Sequence, residues 1–179
     1  PLHSARGGGA QSGSRVEVRV SAARYELVPM RASHLDEVSA IELESYENPW
    51  ARSAFESELA RNPVSWSRVA LTAETSARVA GYCVAWIVFE HIHIQNVAVH
   101  PEHRRQGLGR LLLLRALEEG RARGAAAALL EVRRSNEAAQ NLYRELGFFE
   151  AGTRRDYYSR PQEDALLFRK ELAGAPGDV

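Results

Sequence analysis

The chain has 179 residues, enough for one domain with a buried core. Its 23 Lys and Arg balance 23 Asp and Glu, so bulk charge gives no reason to expect nucleic acid or a membrane surface as a partner. No apolar run is long enough for a transmembrane helix, and the single cysteine rules out an intramolecular disulfide and points to a cytoplasmic location.

Residues 1–20 begin Gly/Ser-rich and lack periodicity, which predicts a flexible leader or a non-native remnant. Residues 21–173 read as the folded domain, and 174–179 as a frayed C-terminus. Arg24 to Met30 reads as a first strand, with Tyr25, Leu27 and Val28 facing inward. Ser33 is the expected N-cap of a helix, with Glu37 near the capping partner's position. Leu35, Val38, Ile41 and Leu43 form that helix's apolar stripe, and Asn48-Pro49 ends it. A short second helix covers about Ala51 to Arg61, carrying Phe55 and Leu59. Trp66–Ala73, Val79–Phe89 and Glu90–Val99 read as strands joined by short turns, hence antiparallel neighbours. Cys83 lies within the second of these, in an apolar run, and reads as a core residue.

Gly107 to Arg123 is the strongest helix, with Leu111, Leu112, Leu114, Ala116 and Leu117 on its apolar face and Gly124 as its stop. Ala126 to Val132 is a short buried strand. Ser135 or Asn136 caps a fourth helix, Glu137 to Leu146, and Phe148–Gly152 and Ala165–Leu172 close the chain as strands. The order β-α-α-β-β-β-α-β-α-β-β predicts an α/β (α+β) fold: a mixed, mostly antiparallel central sheet of about seven strands flanked by about four helices.

One segment carries chemistry by itself. The strand Gln95–Val99 runs through a basic loop into a helix that has Gly107 and Gly109 in its first turn. A helix N-terminus offers unpaired backbone N–H groups and partial positive charge. Glycines there let a bulky anion approach, and Arg104, Arg105 and Arg110 add full charges, so the segment reads as a pyrophosphate cradle. The chain has no Walker run, and a dinucleotide fingerprint would need glycine where Leu112 stands.

Arg104-Arg105-Gln106-Gly107-Leu108-Gly109 matches in full the Arg/Gln-x-x-Gly-x-Gly/Ala hallmark of the Gcn5-related N-acetyltransferase superfamily, which the chain resembles from about Arg24 to Leu172. Asn96-Val97-Ala98-Val99-His100-Pro101 is similar to that superfamily's coenzyme-binding strand. Leu130–Asn136, Ala139–Phe148, Arg154–Tyr158 with Glu163–Ala165, and Pro49-Trp50 resemble the ribosomal-protein-alanine N-acetyltransferase subfamily. Asn48 is a departure, standing where that subfamily commonly has an aromatic.

The resemblance implies an acyl-CoA N-acyltransferase fold over residues 21–173, acetyl-CoA as cosubstrate, no metal, and a protein N-terminus as acceptor, specifically the N-terminal alanine of a small-subunit ribosomal protein. An α-amine with a pKa of ~7.7–8.0 must lose a proton before it attacks. Glu131, at the end of an apolar strand, is the candidate base, and the resemblance places it there. Tyr143 is the candidate acid for the leaving thiolate and also falls among the coenzyme contacts. The implied coenzyme-binding set is Val97, Ala98, Val99, Arg104, Arg105, Gln106, Gly107, Leu108, Gly109, Arg110, Asn136 and Tyr143, with a backbone N–H of Val97–Val99 facing the developing oxyanion. Trp50, Tyr157, Tyr158 and the Glu42, Glu44, Glu47 group are candidates for the acceptor groove.

Three other readings stand beside this one. His91, His93, His100 and His103 raise a metal site, against which the lack of a His-Glu-x-x-His run and of further cysteines counts. A non-catalytic coenzyme-binding module would need neither Glu131 nor Tyr143. An acetyltransferase acting on a lysine side chain or a small amine would share the cradle and differ only in the acceptor groove.

Overall fold

The computed structural model describes residues 24–172; the expectations for 1–20 and 174–179 lie outside them. The elements are β1 (Tyr25–Pro29), α1 (Leu35–Ser45), α2 (Arg52–Arg61), β2 (Ser65–Thr72), β3 (Val79–Val88), β4 (His91–Val99), α3 (Leu108–Ala122), β5 (Ala127–Arg133), α4 (Glu137–Glu145), β6 (Phe149–Ser159) and β7 (Gln162–Glu171). Single 3-10 turns precede α1 and α3. The strands form one sheet in the order β1-β2-β3-β4-β5-β7-β6. Only β4 and β5 run parallel, which is the mixed, mostly antiparallel arrangement expected.

Two apolar layers cover the sheet. On one face α1 and α2 bury Leu35, Val38, Ile41 and Phe55 against Val69, Tyr82 and Val84. On the other, α3 and α4 bury Leu108, Leu112, Leu113, Leu117 and Tyr143 against Cys83, Ile92, Leu130 and Phe168. Each such leucine contributes roughly 1.5–3 kcal/mol by leaving water. Cys83 is a core residue, and burial pushes its thiol up to about 12.

Several expectations need correction. Leu43 is 68% exposed, while Glu42 takes the buried slot at 1%. At 3.6 residues per turn, Glu42 falls almost in line with Leu35, and Leu43 is rotated away by about 80°. Ser33 makes no cap to α1; it lies inside the preceding 3-10 turn, and Glu37 accepts the Val79 N–H at 3.0 Å instead. On α3 the inward row includes Leu113, while Leu111 and Leu114 sit at its margin. β6 continues to Ser159 rather than stopping at Gly152. It is the sheet's edge and is exposed along most of its length, so no apolar alternation marks it. Register shifts and Asp156 (φ 54) bend it, and Asp164 accepts the Asp156 N–H at 3.0 Å.

Candidate active site

The site begins with a break in the sheet. β4 and β5 pair only from His91–Ile94 to Ala127–Leu130. Beyond that point β4 stays with β3 and β5 stays with β7, so the two central strands part. The register between β3 and β4 shifts there, leaving Gln95 without a partner. Past the bulge, the His100 N–H donates to Ala80, so Ala98 faces β3, and Val97 and Val99 face the open side by strand alternation. Their carbonyls confirm the direction: Val97 accepts from the Tyr46 hydroxyl at 2.5 Å, and Val99 accepts from Arg104 Nε at 3.0 Å. The Val97 and Val99 N–H groups point the same way, into the gap.

A cavity of about 330 Å³ fills this gap. Its lining brings together Glu42, Glu47, Trp50, Val97, Glu131, Asn136, Tyr143 and Tyr158 from the expected set, without Glu44 or Tyr157, and adds Tyr46, Asn96 and Arg133. Alternation along β5 sends Leu130 and Val132 into the α3–α4 core, so Glu131 lies on the opposite face. Tyr143 belongs to the α3–α4 core, its ring 6.0 Å from both Phe148 and Phe168. The two ionisable candidates therefore approach the gap from opposite sides of the sheet. Burial, with a smaller contribution from Cys83 and Tyr158, pushes the Tyr143 phenol well above its ordinary value and keeps it protonated.

Glu131 is held at the cavity edge by Arg154, 2.7 Å away. The nearby Glu131 carboxylate raises the Tyr157 pKa. Burial pushes Tyr158 up to about 12, and its ring receives the Arg133 guanidinium 4.0 Å from the centroid. Arg133 also pairs with Glu163 at 3.2 Å and binds the Arg160 carbonyl at 3.0 Å. Asn48 donates to that same carbonyl at 3.0 Å, so the β6–β7 turn is clasped from both sides of the cavity. Burial works to raise the Glu163 carboxyl, but hydrogen bonds from the Ser135 N–H and hydroxyl and from Arg133 outweigh it and hold it below the ordinary range.

The expected cradle lies at the other end of β4. α3 starts at Gly107, whose φ of 81° belongs to the left-handed region that glycine adopts most readily. No side chain caps the helix, so the N–H groups of Leu108, Gly109 and Arg110 stay open to an anion. Not every predicted contact is aimed there. Arg104 is committed to the Val99 carbonyl and, at 3.2 Å, to the Ser45 hydroxyl. Gln106 accepts from Tyr25 at 3.0 Å and donates to the Glu102 carbonyl at 2.9 Å. Leu108 is a core residue, and Arg110 pairs with Glu145 at 3.6 Å. A Cβ on Gly109 would meet Leu142 at 3.6 Å and Val99 at 3.7 Å, which is ordinary packing. Arg104 and Gln106 thus shape the loop, Gly107 is required by the backbone, and Gly109 sits over the core. Asn136 caps α4, accepting the Ala139 N–H at 3.1 Å, and its amide N–H₂ remains as a donor.

The histidines do not converge as one group. His91 and His93 start β4, while His100 and His103 follow its end. His100, Glu102 and His103 gather their ligand atoms within 4.8 Å, but the Nδ1 atoms of both histidines are already engaged, with the Glu102 N–H and with the Tyr25 hydroxyl.

A split sheet with an uncapped, glycine-started helix beside it is the architecture of an acyl-CoA-dependent acyltransferase. The model of the acetyltransferase (GNAT) family matches residues 35–148, and the chain belongs to that family. A relative from Bacillus subtilis (strain 168) is 40% identical over 138 residues, covering 77% of this chain and 89% of its own length. The [ribosomal protein bS18]-alanine N-acetyltransferase of Escherichia coli (strain K12) is 37% identical over 129 residues, covering 71% of this chain and 84% of its own. The crystal structure of the ribosomal-protein-S18-alanine N-acetyltransferase from Escherichia coli superposes with a TM-score of 0.76 at 30% identity, covering 87% of this chain and 98% of that one.

Proposed function

We propose that the chain transfers acetyl from acetyl-CoA to the α-amine of a protein N-terminus, the N-terminal alanine of ribosomal protein bS18. The identity to relatives named for that reaction supports the acceptor. The observation that carries the chemistry is the parting of β4 and β5, with Glu131 on one face of the gap and Tyr143 on the other.

The open N–H groups of Leu108, Gly109 and Arg110, with the nearby Arg105, fit a pyrophosphate. The Val97 and Val99 N–H groups, facing the gap, fit an extended amide chain and a thioester carbonyl. The acetyl group comes from acetyl-CoA; the protein positions, deprotonates and reprotonates. Glu131 takes the proton of the α-ammonium, directly or through water, so that the nitrogen lone pair can attack the thioester carbon. The Val97 N–H faces the carbonyl oxygen as it gains charge. As the C–S bond breaks, Tyr143 supplies a proton to the departing sulfur, so the thiol rather than the thiolate leaves and return is suppressed, and the second proton of the attacking nitrogen restores the Tyr143 phenol, directly or through water. Trp50, Tyr157 and Tyr158 line the side from which the peptide enters.

The test uses peptides beginning with Ala, Ser, Gly or a blocked residue, each with an internal lysine, incubated with acetyl-CoA and mapped by fragment mass spectrometry. Acetylation at the α-nitrogen of the alanine peptide is expected. Acetylation of lysine with the free N-terminus untouched would refute the reading.

A further inference from the structure

The cavity wall carries four carboxylates, Glu42, Glu47, Glu131 and Glu163, against one guanidinium, Arg133. Glu131 is paired with Arg154, and Glu163 with Arg133. Glu47 is exposed to solvent, which screens it. Glu42 differs from all three. It is 1% exposed, and its hydrogen-bond partners among the described residues are all uncharged.

Each of those partners donates. The Trp50 N–H reaches Oε1 at 2.7 Å, the Tyr82 hydroxyl binds Oε2, and the Asn96 amide lies 3.1 Å from each oxygen. Three donating groups on its two oxygens fit a carboxylate, and the Tyr82 hydroxyl also lies 3.3 Å from Asn96 Oδ1. Burial also pushes the Tyr82 phenol well up, so it holds its proton. The Glu42 charge is therefore satisfied by dipoles and not cancelled by a cation. Its field reaches the cavity through a poorly screening interior.

We propose that Glu42 is a specificity determinant that draws the acceptor into the cavity as its α-ammonium ion. It acts through its field and not by contact, because both of its oxygens are committed. This rests on the reading that the acceptor is an N-terminal amine. The same field that favours binding of the ammonium opposes its deprotonation, which divides the work: Glu42 sets affinity for the charged acceptor, and Glu131 removes the proton. Glu42→Gln should therefore raise KM for the peptide without lowering kcat. A purely structural residue would damage both.

The experiment compares two peptides that differ only at the α-position, one with the free amine of alanine and one with hydrogen in its place, binding to the protein in the presence of CoA. The unsubstituted protein is expected to prefer the amine by about tenfold, the scale of one charge roughly 10 Å away at an effective dielectric of about 20. Glu42→Gln should remove most of that preference and leave affinity for the amine-free peptide unchanged. Tyr82→Phe, which removes a donor and keeps the charge, should retain the preference. Because Glu42→Gln brings an amide donor up against its donating neighbours, the double variant Glu42→Gln/Asn96→Asp provides a second reading. It moves the carboxylate one side chain along, with the Tyr82 hydroxyl turning to donate to position 96 and accept from position 42, and should restore the preference. Glu42→Gln that keeps the preference, or that weakens both peptides equally, overturns the proposal, as does a double variant that lacks it. An unsubstituted protein that fails to separate the two peptides overturns the amine-acceptor reading itself, and the proposal with it.

Discussion

Replacing Tyr143 by phenylalanine separates chemistry from packing. The ring is buried against Phe148 and Phe168, and phenylalanine keeps those contacts. The hydroxyl opens onto the cavity, and removing it strands no hydrogen-bond partner among the described residues. The stability change should then stay within about 0.5 kcal/mol, typical of a substitution that neither opens a cavity nor orphans a polar group. Activity should respond very differently, because a positioned general acid contributes typically ~10²–10⁴-fold. The assay is CoA thiol release at saturating acetyl-CoA and alanine peptide, run beside a thermal melt of the same sample. Burial holds the Tyr143 phenol well above its ordinary value, so an alkaline fall in kcat below pH ~10 would belong to another group. A Tyr143→Phe enzyme with an unchanged melt and turnover within a few-fold of the parent would refute the acid role.

Further outcomes follow from the same geometry. Glu131→Gln should reduce kcat/KM by about 10²–10⁴-fold near neutrality, and the deficit should shrink above pH ~8, where the amine arrives already deprotonated; a pH-independent deficit would contradict base catalysis. Gly107→Ala forces φ 81° on a residue with a Cβ, costs roughly 1–2 kcal/mol, and should raise KM for acetyl-CoA, whereas Gly109→Ala meets only ordinary contacts and should leave KM within a few-fold. Gly81→Ala places a Cβ 2.8 Å from the Ala98 carbonyl, a backbone atom that cannot swing away, and should lower thermal stability by about 1–3 kcal/mol. The Glu163 carboxyl is held below its ordinary value in the folded state, so the stability it contributes is present above the unfolded pKa of ~4.3 and lost as pH falls through the folded one. Melts of the protein and of Glu163→Gln should therefore converge as pH drops from about 5 to about 3.

What could be read from the sequence was what neighbouring residues determine. The α3 stripe, the glycine at its start and the strand before it are consecutive, so the glycine-started helix and the order of elements were legible. The edge strand β6 was not, because a strand exposed on both faces carries no alternation. Glu42 was grouped with Glu44 and Glu47 as a candidate for the acceptor groove, but that it alone of the three is buried was not legible, since an acidic side chain in an amphipathic helix is ordinarily solvated. Its burial depends on Asn96 and Tyr82, 54 and 40 residues away. The clasp of Asn48 and Arg133 on the β6–β7 turn is equally non-local. Arg104 is similar: its place in the motif was legible, but its side-chain hydrogen bonds to the Val99 carbonyl and the Ser45 hydroxyl were not.

A crystal structure with a conjugate in which CoA and an alanine peptide are joined through an acetyl bridge would show directly whether the gap between β4 and β5 is where acetyl transfer takes place. The pyrophosphate should lie on the Leu108, Gly109 and Arg110 N–H groups. The bridging carbonyl should face the Val97 N–H, with the peptide nitrogen on the Glu131 side and the sulfur toward Tyr143. A conjugate seated outside the gap between β4 and β5, or with its nitrogen and sulfur on the opposite sides, would contradict the account.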